Sequence, residues 1–217
     1  MAEAAVGFAD HSGWAIAVAV VRTGDWFDVV ARERLDIVEP GWTLPGGFGA
    51  RQPYHAVAEM GADRRLVEDT IEAAAAGSAA AIRRIAESVA RGGHQLVAAG
   101  VPAGAVALPR SLDAILVSHA LLHAAEGELF REALAEGASR CGLAISRMPR
   151  KEVAADAAAS VGLPRHAFEM RLRGMRDVLG PPWQADHRLA MAAAVLALRA
   201  RPEGGSTGTS GCGGWRS

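Results

Sequence analysis

Apolar positions along this chain fall into two kinds of segment. Near the start they form short dense runs: Ala5 to Ala9, then Trp14 to Val21 (WAIAVAVV), then Trp26 to Val38. His11-Ser12-Gly13 and Thr23-Gly24-Asp25 separate them. Short apolar runs bounded by turn residues predict strands, here three consecutive ones in an antiparallel meander. From Tyr54 to Arg91 the spacing becomes helical, with apolar residues at Val57, Met60, Val67, Ile71, Ile82, Ile85 and Val89. Gly77-Ser78 is expected to interrupt this helix, with Ser78 capping the second piece, and Gly92-Gly93 to end it.

Gln95 to Leu108 reads as a short buried strand followed by a loop. A further helix is predicted from Ser111-Leu112-Asp113 through Glu136, and Gly142 to Met148 gives a fifth strand. Val153 to Val161 and His166 to Val178 are shorter helices. Gly180-Pro181-Pro182-Trp183 is a rigid break before a final helix over Gln184 to Arg201. The order β-β-β-α-β-α-β-α implies an α/β fold: a mixed five-stranded sheet with helices on both faces. Residues 1–201 form one domain in this reading, and the Gly/Ser/Thr-rich tail 202–217 is expected to be disordered. The Gly/Pro-rich loop from Pro40 to Pro53 lacks the GKS or GKT ending of a phosphate-binding loop.

Composition narrows the class. With 217 residues, 50% hydrophobic and 22% charged, the chain can bury a core of ordinary size. The net charge of −1 offers no general attraction to nucleic acid, but its distribution is uneven. Residues 1–139 hold 11 basic and 18 acidic residues, whereas residues 140–201 hold 11 basic and 5 acidic. A basic C-terminal part is able to follow a phosphate backbone, though a solvated face would have the same composition. The two cysteines, Cys141 and Cys212, form no CxxC or zinc-finger spacing, which suits a reducing cytoplasm. No basic leader or membrane-length apolar run is expected.

Two acids stand at prominent places. Asp10 closes the first strand, and Asp186 opens the last helix in Gln184-Ala185-Asp186-His187-Arg188-Leu189-Ala190. With the element order, these residues resemble the ribonuclease H-like superfamily, and within it the RuvC-type Holliday-junction resolvases. The local likeness is QADHRLAMAAAVLAL, Gln184 to Leu198, against a final family helix of the form Q-A-D-x-x-D-A-x-A-x-A. Met148-Pro149-Arg150-Lys151-Glu152-Val153 sits where the family has a strand followed by a lysine. The likeness covers residues 5 to 200 in element order.

The resemblance implies metal-dependent phosphodiester hydrolysis of nucleic acid. Clustered carboxylates would hold two Mg²⁺ or Mn²⁺ ions about 4 Å apart, activating water and stabilising the leaving oxygen. Asp10 and Asp186 would be metal ligands and catalytic. A second helix acid is expected at position 189, where Leu189 stands, and another at the end of the fourth strand, where Ala98-Ala99-Gly100 stands. Glu126 is the preferred replacement and Glu59 the reserve. Lys151 would polarise water or contact a phosphate, and Arg147, Arg150, Lys151, Arg171 and Arg173 would hold the nucleic-acid backbone. A homodimer is implied by resemblance alone.

Each residue also has a plain role: Asp10 and Ser12 as turn residues, Asp186 as an acid favouring a helix N-terminus, His187 and Lys151 as surface groups. Three other readings stand beside the nuclease. The missing acids suit a non-catalytic ribonuclease H-like scaffold that binds nucleic acid or a protein partner. Asp10-His11-Ser12-Gly13 also suits the actin-like ATPases, but those need a second copy of the fold. Finally, His119 and His123, four apart on a helix, suit a zinc site completed by an acid.

Overall fold

The computed structural model describes residues 1–38 and 51–201. Most of the Pro40–Pro53 loop and the whole 202–217 tail therefore lie outside the described residues. Five strands form one sheet: β1 (Ala2–His11), β2 (Trp14–Thr23), β3 (Trp26–Asp36), β4 (His94–Ala103) and β5 (Ala144–Pro149). Their spatial order is β3-β2-β1-β4-β5. The first three pair antiparallel, while β4 and β5 run parallel to β1. This is the ribonuclease H-like topology expected from the element order.

The helices divide between the two faces. α1 (Pro53–Met60), α2 (Arg65–Arg91), α3 (Leu112–Leu116) and α4 (His119–Arg140) cover one side. Ala4, Val6 and Phe8 of β1 pack there with Ile82, Ile85, Phe130 and Leu134. α5 (Val153–Ser160), α6 (Arg165–Leu179) and α7 (Ala185–Arg199) cover the other. Ala9, Val18 and Val20 pack there with Phe168, Met191 and Val195. The period-two alternation of β1 thus sends its even positions toward α2 and α4 and its odd positions toward α7.

α7 lies close on the sheet because the residues between are small. Gly7 and Gly100 are direct partners across β1 and β4. A Cβ on Gly7 would meet the Ala190 carbonyl oxygen at 2.0 Å, and one on Gly100 would meet that of Ala193 at 2.2 Å. The Ala-rich final segment is therefore a packing solution: alanines on the helix face glycines on the strands. The fit holds the start of α7, with Asp186, beside the carboxyl end of β1.

Two predicted boundaries are corrected. Gly77-Ser78 does not break a helix; α2 runs through it. Gly77 instead lets α2 approach Ile37, whose carbonyl oxygen would lie 2.0 Å from an added Cβ. The break falls earlier, at Gly61, which caps α1 in the left-handed conformation at φ 68°. The helix predicted from Ser111 is also two helices, separated at Val117-Ser118.

Candidate functional site

The carboxyl ends of the parallel strands β1, β4 and β5 meet on one edge, the usual position for ligands in α/β sheets. The backbone N–H of Arg150 donates to the Ala103 carbonyl at 3.3 Å and ties the ends of β5 and β4 together. Asp10 lies in this edge with its side chain only 7% exposed. Arg150 Nη1 donates to its Oδ1 at 2.7 Å. Arg131 of α4 places Nε 3.0 Å from its Oδ2 and also binds Glu128 Oε2 through Nη1 at 2.7 Å. Each oxygen of Asp10 therefore has its own guanidinium.

Asp186 is engaged elsewhere. His11 Nε2 lies 3.1 Å from Asp186 Oδ2. The His11 ring stacks on Trp14 with centroids 3.8 Å apart, and the Arg34 guanidinium lies 4.2 Å from the centre of a Trp14 ring. Strand alternation explains the separation. Asp10 follows Phe8 toward α4, and His11 follows Ala9 toward α7, where Asp186 begins the helix. Consecutive residues of β1 thus hand the two aspartates different partners on opposite faces. The neighbouring His187 is buried and closes α7 by accepting the Gln184 backbone N–H on Nδ1 at 3.3 Å. Burial, and next the Arg32 charge, pull its imidazole below the ordinary histidine range.

Glu126 is buried against α1, where its Oε1 accepts both the His55 backbone N–H at 3.2 Å and His55 Nδ1 at 2.9 Å. Burial pushes its carboxyl up, opposed by the His55 hydrogen bonds. Burial, with the Glu126 charge adding to it, likewise pushes the Tyr54 phenol up. Glu59 is exposed on α1 and lies 3.2 Å from His119 Nδ1. His119 Nε2 and His123 Nε2 are 3.1 Å apart. Ligand atoms of His55, His119 and His123 all lie within 4.8 Å of one another, an arrangement able to coordinate a metal ion. Among the described residues, Asp10, Glu126 and Asp186 do not form such a group.

The donor set at Asp10 does not fit the Mg²⁺ or Mn²⁺ pair expected there. These ions take hard oxygen ligands from several acids. Positions 98–100 and 189 supply none, Glu126 is committed to His55, and Asp10 and Glu128 are already engaged by the guanidinium groups of Arg131, Arg150 and Arg147. Like charges repel at close range by about 4 kcal/mol per unit pair at 4 Å and an effective dielectric of about 20. A divalent ion would therefore have to expel both arginines.

The expected phosphate-binding residues also separate. Arg150 and Lys151 follow β5, and Arg147 on β5 pairs with Glu132 at 2.6 Å and Glu128 at 3.4 Å, all on the α4 side. Arg171 and Arg173 lie on α6, across the sheet. Arg171 packs 3.8 Å from the centre of a Trp26 ring, and Arg173 pairs with Glu169. Sequence reasoning missed Arg131, whose one local sign is Glu128 a helical turn earlier, and His55, which has none.

No family model matches the chain, and no curated protein matches it. Among solved structures it is similar to RuvC of Thermus thermophilus in complex with a Holliday junction substrate. That match has 13% identity and a TM-score of 0.49 over 88% of this chain and 90% of the other. A second Thermus thermophilus RuvC structure matches at 14% identity and a TM-score of 0.47, over 88% and 91%. No helix among the described residues is long and apolar enough to cross a membrane.

Proposed function

We propose that this chain is a non-catalytic ribonuclease H-like scaffold that binds the phosphate backbone of nucleic acid at the carboxyl edge of its sheet. The observation that carries this reading is the double ion pair on Asp10. Arg131 and Arg150 hold the two oxygens of Asp10, the acid that the resemblance makes a metal ligand. The Arg131 side chain is 16% exposed and the Arg150 side chain 39% exposed. Arg131 alone can keep Asp10 paired while Arg150 turns to a phosphate, joined by the exposed Arg147 and Lys151.

The test is fluorescence anisotropy with labelled linear DNA, branched DNA and single-stranded RNA, with and without Mg²⁺ or Mn²⁺. Binding without cleavage, weakened by rising salt and by Arg150→Ala with Lys151→Ala, is the expected result. Metal-dependent cleavage lost in Asp10→Asn would replace this reading with the nuclease, in which Asp10, Asp186, Glu126 and Lys151 act together. Failure to bind any of the three ligands would leave a protein partner, the other occupant suited to a non-catalytic scaffold. Size-exclusion chromatography with light scattering tests the homodimer implied by resemblance.

A further inference from the structure

We propose that His55, His119 and His123 form a Zn²⁺ site that joins α1 to α4 and keeps its fourth coordination position open to water. The site is independent of Asp10, and its case rests on atoms rather than residue type. Imidazole nitrogens at 2.0–2.1 Å from a tetrahedral Zn²⁺ lie roughly 3.3 Å apart. His119 Nε2 and His123 Nε2 are 3.1 Å apart, brought together by their four-residue spacing on α4. His55 of α1 completes the group, its ring centroid 4.6 Å from that of His123 and 5.2 Å from that of His119.

His55 supplies the second, separate observation. The residue is 4% exposed, and its Nε2 is buried with no hydrogen-bond partner among the described residues. Buried polar nitrogens are nearly always partnered, because an unmet one carries its full desolvation cost. A metal ion between the three rings would satisfy it.

The surrounding acids orient the rings for this task. Metal-ligating histidines commonly donate their other N–H to a carboxylate, which fixes the tautomer and raises ligand basicity. Glu126 Oε1 lies 2.9 Å from His55 Nδ1, and Glu59 Oε1 lies 3.2 Å from His119 Nδ1. With both Nδ1 atoms donating, the Nε2 lone pairs of His55 and His119 are left to the metal. His123 joins once its own proton sits on Nδ1.

No further His, Cys, Asp or Glu joins the group among the described residues. His119 and His123 are exposed, so the remaining position faces solvent. Three imidazoles and a solvent ligand make an open site of the kind that exchanges water for a small anion. Neutral nitrogen donors also favour Zn²⁺ over Mg²⁺, which takes oxygen ligands.

Calorimetric titration of the chelator-treated full chain with Zn²⁺ tests the site, with visible spectroscopy of the Co²⁺-loaded chain as a second readout. The expected result is one Zn²⁺ per chain and the intense absorption of four-coordinate Co²⁺, shifted when azide is added. His119→Ala and His123→Ala should each weaken Zn²⁺ binding by at least the ~10–100-fold that loss of an outer-shell partner costs, and Glu59→Gln by about 10-fold. His166→Ala, an exposed histidine on α6, should leave binding unchanged. Both ligand positions on α4 are exposed, so thermal melting of the metal-free variants should match that of the parent chain. Absence of stoichiometric Zn²⁺, equal binding by the His119→Ala/His123→Ala double variant, or the weak spectrum of six-coordinate Co²⁺ would overturn the proposal.

Discussion

Arg150 Nη1 lies 2.7 Å from Asp10 Oδ1, and Arg131 Nε lies 3.0 Å from the other oxygen of the same carboxylate. The three residues come from β1, α4 and the turn after β5, so this contact closes the edge of the sheet. Removing Asp10 would strip Arg150 of its carboxylate and leave the largely buried Arg131 with Glu128 alone to offset two neighbouring guanidinium charges. Asp10→Ala should lower stability by about 2–4 kcal/mol, somewhat below the cost of breaking a fully buried pair because Arg150 is partly solvated. Urea unfolding measures it. Arg131→Met placed in the same background should recover part of the loss, and a loss below about 0.5 kcal/mol in the single variant would show that the pairing is not structural.

Gly7 and Gly100 set the distance between α7 and the sheet. An added methyl at either position meets backbone rather than a flexible side chain. Gly100→Ala should therefore destabilise by about 1–3 kcal/mol or more, as overpacking a tight interior does. Gly7→Val should abolish cooperative folding in thermal melts. Unchanged melting of both variants would contradict the close approach of α7.

His187 gives stability a specific acid limb. Its imidazole is pulled below the ordinary range by burial and then by Arg32; Arg188 acts in the same direction and Asp186 opposes it. The neutral ring, which accepts the Gln184 N–H, is the form the fold prefers. Its contribution is therefore fully present above the unfolded histidine value, near 6.5, and is lost as pH falls through the lowered folded value. Melting temperature should drop below about pH 6, and His187→Gln should flatten that part of the profile. An identical acid limb in the variant would assign the drop to other groups.

The two basic groups on opposite faces should behave differently. Arg171 packs on Trp26, and Arg173 is paired with Glu169 on α6. Arg150 and Lys151 stand at the strand ends. Arg150→Ala with Lys151→Ala should weaken nucleic-acid binding by about 10-fold or more at moderate salt and reduce the salt slope by about two. Arg171→Ala with Arg173→Ala should leave both unchanged. Equal losses from the two pairs would mean that the ligand spans both faces.

The elements were largely legible before the structure, because local patterns carry them. Period-two runs with glycine turns marked the meander, and helical spacing marked α2 and α4. One error came at Val117-Ser118, where α3 and α4 part with no breaker residue, and the other where a glycine had two meanings. Gly77 looks like a helix breaker by propensity, yet it serves as a contact point between α2 and the chain at Ile37, and packing overrides the local cost. Gly61, one residue after α1, carries the real stop.

The chemistry of the edge was less legible, because it depends on which atoms meet. The sequence by itself determined the topology, the places of Asp10 and Asp186 at a strand end and a helix start, and the absence of acids at 98–100 and 189. It also put His119 and His123 on one helical face, since that follows from spacing alone. Only the tertiary structure decided that Asp10 faces two arginines from distant segments, that Asp186 is drawn to His11 on the other face, and that Glu126 belongs to His55. The reason is physical: strand and helix periods are set by neighbours in the chain. Partners such as Arg131 and His55 arrive through packing between elements far apart in sequence, and no local pattern encodes them.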